Sequence, residues 1–292
     1  WLGLLAATRV SSLAGMAAAV SAPVTAAMLG AFDIVPLLMA LALIVLFAAS
    51  NLLTSSSRSA TDLQGRNELL EESQIAQNYV AGQLREAAFV FPAGTTLNLG
   101  SGYTTQRPGT TGGTWVVGAA ATPIVAFVRS PRVSGNCAAD AEACYKFMAY
   151  YPVRRGFWAS NATGSNNPGP DPANAGRWVL VEYRSNYATK PSLAALGSNY
   201  TPPGGEGRLL LDYVRPASLA PAGTPALFTQ TPDATPGTPQ EPGDVQVSVN
   251  LAISRQVGSA SVTIPTAQPG SAPEAAVRTV TVAPRNLGNL SP

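Results

Sequence analysis

Between Ile34 and Ser57 the chain carries no charged residue, and the front of that stretch, IVPLLMALALIVLFAASNLL, is dense in Leu, Ile, Val and Ala. About twenty such residues in a helix rise about 30 Å, the thickness of the hydrocarbon core of a bilayer. A helix that is apolar on every side must be covered on every side. The run therefore predicts a membrane helix through residues 34–53. Pro36 suits its first turn, where a missing N–H costs little, and Asp33 stands near the positive end of the helix dipole. Both place the helix start near residues 33–36.

The preceding residues, WLGLLAATRVSSLAGMAAAVSAPVTAAMLG, are rich in Ala, weakly apolar and charged only at Arg9. That is less basic than the front of a secretory signal. Residues 1–31 read either as a leader that is removed or as a second, weaker helix, and the leader is the expectation.

After Ser57 the composition changes abruptly. Up to Pro92 only Gly65 and Gly82 break an otherwise helical stretch. Leu69, Ala76, Val80, Leu84, Ala87 and Phe91 recur at three-, four- and seven-residue spacing, with Glu68, Glu71, Gln74, Gln77 and Arg85 between them. That pattern is one apolar face of a helix. The sequence thus predicts a transmembrane part over residues 32–57 continued by an amphipathic stalk over 58–91, together roughly 85 Å long.

From Pro92 the helical period disappears. Short β-branched and aromatic runs alternate with Gly, Pro, Asn and Ser clusters, the pattern of antiparallel strands joined by loops. The predicted strands are TWVVGA, PIVAFVRS, YKFMAYYPVR, RWVLVEYRS, GRLLLDYVRP, DVQVSVNLAIS and VRTVTVAP. Val245, Val247, Val249, Leu251 and Ile253 alternate strictly, so that strand is expected to bury one face. Residues 160–176, 186–207 and 230–244 read as long surface loops, the last partly disordered. Residues 92–292 form the β-rich head.

The chemistry is narrow. Histidine is absent, which removes the commonest general base and metal ligand. Two cysteines cannot build a Cys/His zinc cluster. Cys137 and Cys144 read either as free thiols or as a disulfide closing a tight loop; the disulfide is the expectation, and an oxidising compartment would follow from it. Charged residues make up 12% of the chain, against roughly 25% in ordinary soluble domains, and the net charge is +2. With Lys146 and Lys190 its only lysines and no basic run, direct nucleic-acid binding is not indicated.

Asp140 and Glu142 suggest calcium, but without EF-hand spacing they read as a solvated acidic loop. Asn161-Ala-Thr163 matches a glycosylation sequon, a motif that arises readily by chance. Arg154 and Arg155 beside Phe157 and Trp158 could touch DNA or sugar, or simply stack at a strand end. The aromatics Tyr145, Phe147, Tyr150, Tyr151, Trp178 and Tyr183 read as core. The Gly pairs in TGGTWVV and PPGGEG lack the strand-to-helix context of a phosphate loop. No catalytic constellation, cofactor or metal site is indicated, and the chain does not read as an enzyme.

The order of these parts resembles a type IV pilin, specifically the PilW-like minor pilins and the related J-type pseudopilins of type II secretion. AFDIVPLLMALALIVL resembles the prepilin signature, a small residue followed by Phe-Thr-Leu-Ile-Glu and an apolar run. SSSRS…QGRNELLEESQIAQNYVAGQLREA is similar to the Ser- and Gln-rich region that follows. RWVLVEYRS, GRLLLDYVRP and VRTVTVAPRNL resemble head strands. The resemblance implies an α+β pilin-like fold, a long N-terminal helix with a membrane-spanning front half packed on an antiparallel sheet head. It also implies prepilin-type processing and N-terminal methylation around Gly30, Ala31 and Phe32.

The signature is atypical. With Phe32 first, Asp33 takes the Thr position and Pro36 the Glu position; with Ala31 first, Val35 does. Neither restores the glutamate, as in the family's tip pseudopilin. The implied partners are major and minor pilins, the assembly machinery, prepilin peptidase and a membrane through residues 34–53. The implied location is the cytoplasmic membrane, single-pass with an extracytoplasmic head, and then a cell-surface pilus. The competing readings are an anchored surface binding module, adhesin or DNA-capturing, that never enters a filament, and an anchored enzyme.

Overall fold

The computed structural model describes residues 34–231, 238–258, 260–266 and 270–290. The chain divides after Gly65 into two units, described separately. One helix, α1, spans Ile34–Arg85. In the first unit, residues 42, 43 and 45–57 of α1 carry exposed side chains.

The second unit is built on antiparallel sheet. Its strands are β1 (Ala87–Val90), β2 (Thr96–Asn98), β3 (Thr114–Val116), β4 (Val125–Arg129), β5 (Lys146–Arg154), β6 (Trp178–Asn186), β7 (Asn199–Tyr200), β8 (Glu206–Val214), β9 (Phe228–Thr231), β10 (Gln246–Leu251), β11 (Ile253–Val257), β12 (Ala260–Ile264) and β13 (Arg278–Val282). Seven of them form one sheet in the order β1-β4-β5-β6-β8-β11-β12. Two three-stranded sheets, β13-β10-β9 and β3-β2-β7, accompany it. A short helix α2, Arg155–Asn161, follows β5 directly.

The seven-stranded sheet is covered on both faces, which explains why its central strands read as unbroken apolar runs. Successive residues of β5 part company: Met148 and Tyr150 enter one core, while Phe147, Ala149, Tyr151 and Val153 enter the other. The first core also takes Leu69, Ala76, Val80, Ala81 and Leu84 of α1 together with Val247 and Val249 of β10. The second is aromatic, with Phe89, Phe91, Trp115, Trp158 and Tyr200. Each fully buried side chain of this size contributes about 1.5–3 kcal/mol.

These features correct the expected fold. The α+β pilin-like arrangement, a long helix with a membrane-spanning front half packed on a sheet head, gives way to a body that is mainly antiparallel sheet. Among the described residues no helix is long and apolar enough to cross a membrane. The localisation is corrected with it: a single-pass anchor in the cytoplasmic membrane, with the head outside and later on a cell-surface pilus, has no support in the structure. The extra helix or leader assigned to residues 1–31 lies outside the described residues.

The helix is also shorter than the periodicity suggested. It ends at Arg85, not at residue 91, and Ala87–Val90 is an edge strand paired with β4. The reason is two-sided burial. Ala87 and Val90 join the first core, whereas Ala88, Phe89 and Phe91 join the second. Only an extended chain can deliver neighbouring side chains to opposite faces.

The run DVQVSVNLAIS is likewise two strands: Ala252 separates β10 from β11, which lie in different sheets. The long segments are not surface decoration either. Tyr187, Leu193, Leu196 and Tyr200 of the 186–207 stretch are buried, as is Asn174 of the 160–176 stretch. In the third segment, Gln240 is buried and clamps Val90: its Oε1 accepts from the backbone N–H at 2.9 Å and its Nε2 donates to the carbonyl at 2.6 Å. One carboxamide thus stands in for a neighbouring strand at the open edge of β1.

Candidate functional site

The most conspicuous surface belongs to the first unit. Leu43, Val45, Leu46, Phe47, Leu52 and Leu53 are 46–72% exposed, and no charge interrupts residues 34–57. At 100° per residue these six positions spread over about 220° of the circumference of α1, and the remaining sector holds Ala48, Asn51 and Ser55. Water solvates such a surface poorly, and a contiguous apolar patch marks a place where something else docks. Val35 and Pro36 fall in the first turn of α1. Gly30, Ala31, Phe32 and Asp33 lie outside the described residues, so the suggested processing site is neither assembled nor dismantled by the structure.

In the second unit the helix behaves differently. Gln77, fully buried, donates through Nε2 to the carbonyls of Val249 at 2.9 Å and Arg278 at 2.7 Å, joining α1 to both β10 and β13. Tyr79 donates to Glu182 Oε1 at 3.0 Å, and Tyr150 to the same oxygen at 2.7 Å. Arg184 closes the group through Glu182 Oε2 at 2.8 Å. Burial pushes both tyrosine hydroxyls up from the usual phenol range, and the Glu182 carboxylate adds to it. They stay protonated and serve as donors. The network fastens helix to sheet.

Cys137 and Cys144 form a disulfide with Cα atoms 4.6 Å apart. The acidic residues of this loop are structural. Asp140 Oδ1 accepts from the Glu142 N–H at 2.8 Å and caps a short 3-10 turn. Glu142 pairs with Lys146 and, at 2.9 Å, with Arg129. The Lys146 ammonium, hydrogen-bonded to Glu142, holds its carboxyl below the ordinary range, and Arg129 reinforces this. Arg129 and Lys146 are almost fully buried, so Glu142 neutralises two cations that would otherwise be costly. The loop read as solvated and acidic is thus tied into the fold by a cap at Asp140 and ion pairs at Glu142. Among the described residues no group of three or more Cys, Asp or Glu is placed to hold a metal ion.

The remaining sequence candidates are absorbed by packing. Arg155 is 1% exposed, bonds both carboxylate oxygens of Asp212 at 3.0 Å and lies over the Tyr213 ring, as Arg255 does. It has no free donor face for DNA or sugar, while Arg154 is exposed. Trp158 is buried, its indole N–H bonded to the Asn166 carbonyl. Asn161 is exposed at the end of α2, its amide donating to the Phe157 carbonyl. The two Gly pairs admit close backbone: a Cβ at Gly113 would lie 1.7 Å from the Gly100 carbonyl oxygen, and one at Gly205 2.2 Å from that of Arg184.

Gln77 was placed by its spacing on the polar side of the helix and is instead buried, whereas Glu182 and Gln240 left no signal, because single polar residues within apolar or Pro-rich runs set no spacing. The chain matches no family model, no curated protein and no solved structure.

Proposed function

We propose that the chain is a non-catalytic structural subunit of a type IV pilus-like filament, a minor pilin or pseudopilin, with the apolar stretch of α1 as its assembly surface. The observation that carries this reading is the chemistry of residues 42, 43 and 45–57, all exposed and within a stretch that carries no charge. Filament assembly gives such a helix a cover of matching chemistry, namely the equivalent helices of other subunits. Large apolar side chains over more than half of the circumference favour cover by more than one neighbour, which a helical bundle supplies. The partners are therefore major and minor pilins, after processing near Ala31 or Phe32. The signature resemblance supports the same reading; the missing glutamate directs it to a filament end.

The test is intact-mass and N-terminal analysis of filaments sheared from cells that make the protein. The chain should be recovered with a methylated N-terminus at Ala31 or Phe32, and a Leu46→Glu chain should be missing from filaments while its body folds. Filaments that form normally and never contain the wild-type chain would overturn the reading and leave the binding-module alternative.

A further inference from the structure

The second unit contains a cavity of about 250 Å³ where β6, β8 and β10 meet the Pro- and Ala-rich segment 216–227. Its walls include Trp178, Pro123, Pro221, Leu227 and Val277, and its one charged residue is Arg215. The polar lining is otherwise committed. The Asn250 amide donates to the Ala226 carbonyl and to Thr229, and its oxygen accepts from Thr279. The Ala252 carbonyl accepts the Arg215 N–H at 2.8 Å.

Arg215 is half-buried and its side chain makes one bond, from a terminal nitrogen to the Ala276 carbonyl at 2.8 Å. Among the described residues no carboxylate pairs with it. Burial lowers its pKa with no opposing charge at hand. Its other nitrogens are neither bonded within the protein nor sealed from solvent, so they remain able to donate. The contrast inside the molecule is sharp. Arg129, Arg155 and Arg184, comparably or more deeply set, each pair with a carboxylate. Arg177 is also half-buried without an anion, but it does not line this cavity.

A guanidinium partly removed from water, bordering an apolar cavity and lacking its counter-ion, has the chemistry of an anion-binding site. One guanidinium fork suits one carboxylate; a phosphate would call for more donors than these walls offer. We propose that this cavity binds a ligand ending in a carboxylate, with the anionic group on Arg215 and an adjoining small apolar group against Trp178 and Leu227. The source is either a free organic acid or a polypeptide C-terminus, which share this chemistry. The proposal is independent of the filament reading.

Isothermal titration of the full chain tests it with two probe pairs: phenylacetate against phenylacetamide, and N-acetyl-alanyl-leucine against its C-terminal amide. Each acid should bind at least about tenfold more tightly than its amide, the margin of a charge-assisted bidentate contact. Arg215→Gln should remove that margin, and Arg215→Lys should keep part of it. Ala222→Phe, which fills the cavity and leaves Arg215 in place, should abolish binding of both members of each pair. Near-ultraviolet circular dichroism identifies any variant that fails to fold, in which case the remaining substitutions decide. Tighter binding of the peptide assigns a polypeptide C-terminus, and tighter binding of phenylacetate a free acid. Acids that bind no better than their amides, bind Arg215→Gln equally well, or do not bind at all overturn the proposal.

Discussion

Residues 42–57 and 66–85 belong to one α-helix, yet their side chains follow opposite rules. In the first stretch Leu43, Leu46, Leu52 and Leu53 are exposed, and no charge marks any one side. In the second, Val80 and Leu84 are fully buried while Glu68, Glu71 and Gln74 face water. A helical period in apolar residues records a partner inside the same chain, because only one side has to be covered. Loss of that period while the residues stay apolar leaves no one side singled out for cover. Main-chain hydrogen bonding carries the helix across both stretches regardless of which sides are covered.

Charge insertion tests this contrast most severely. Leu84→Asp places an unpaired carboxylate among Val90, Phe127 and Met148 of the first core and should cost about 5 kcal/mol, most of the stability of an ordinary domain. Leu84→Ala should cost about 3 kcal/mol through its cavity alone. Leu46→Glu should move the unfolding midpoint of the body hardly at all, by less than about 0.5 kcal/mol, while blocking assembly. Chemical denaturation of all three variants reads both sides of the comparison. A body that melts as readily with Leu46→Glu as with Leu84→Ala would break it.

Next in size is the polar fastening of the helix. Gln77→Ala leaves the Val249 and Arg278 carbonyls without their shared donor and should cost about 2 kcal/mol. Gln77→Glu should cost more, since a carboxylate cannot donate to either. Denaturant midpoints order the three proteins. An alanine variant as stable as wild type would mean that water replaces the carboxamide and that apolar packing alone seats residues 66–85.

How far the sequence foretold this depends on which physical signal each part left. Strands β4, β5 and β6 stood out because a sheet buried on both faces demands runs such as FMAYYPV and WVLVEY, and β3, β8 and β13 through their β-branched, aromatic and leucine content. β1 was hidden, since Ala87 and Phe91 also fit the helical spacing of Leu84, and only the second core shows why Phe89 must face away. The sheet change at Ala252 left no trace in the alternation of Val247, Val249, Leu251 and Ile253. The disulfide was legible from two cysteines in a short loop, whereas the clamp of Gln240 on Val90 was not, because one glutamine among prolines looks like loop. The apolar run 34–57 read as a membrane helix, whereas among the described residues no helix is long and apolar enough to cross a membrane. Arg215 left no signal in the sequence, where Asp212 stands three residues before it, and becomes meaningful only once the cavity is known.

The disulfide offers a smaller effect in a third place. Cys144→Ser should cost about 2 kcal/mol, mainly by freeing the unfolded chain, and should abolish the reductant sensitivity of the unfolding midpoint. The stretches of α1 and the Gln77 contacts should be unaffected, because distant sites act additively. Coupling between Cys144→Ser and Gln77→Ala in a double-mutant cycle would show that loop and helix are one cooperative element.

The mildest effect is expected from pH, acting through Glu142. Its pKa in the folded chain lies below 4.5, chiefly because of the bond to Lys146 and then Arg129. Folding therefore favours the ionised form. The sign follows: the stabilisation is fully present above about pH 4.5, where the unfolded carboxyl is also ionised, and is lost as pH falls through the lower folded value. Glu142→Gln should remove that part of the acid dependence and lower stability at neutral pH, since Arg129 and Lys146 would keep their burial without this carboxylate. Arg129 would retain Gln83 and the more distant Glu86, and Arg132 would retain Glu86, so the loss stays partial. Unfolding midpoints from pH 7 to 3 should thus converge for wild type and variant at the acid end. Curves that remain parallel throughout would mean that Glu142 titrates alike in the folded and unfolded chains, and that the loop is held by its disulfide alone.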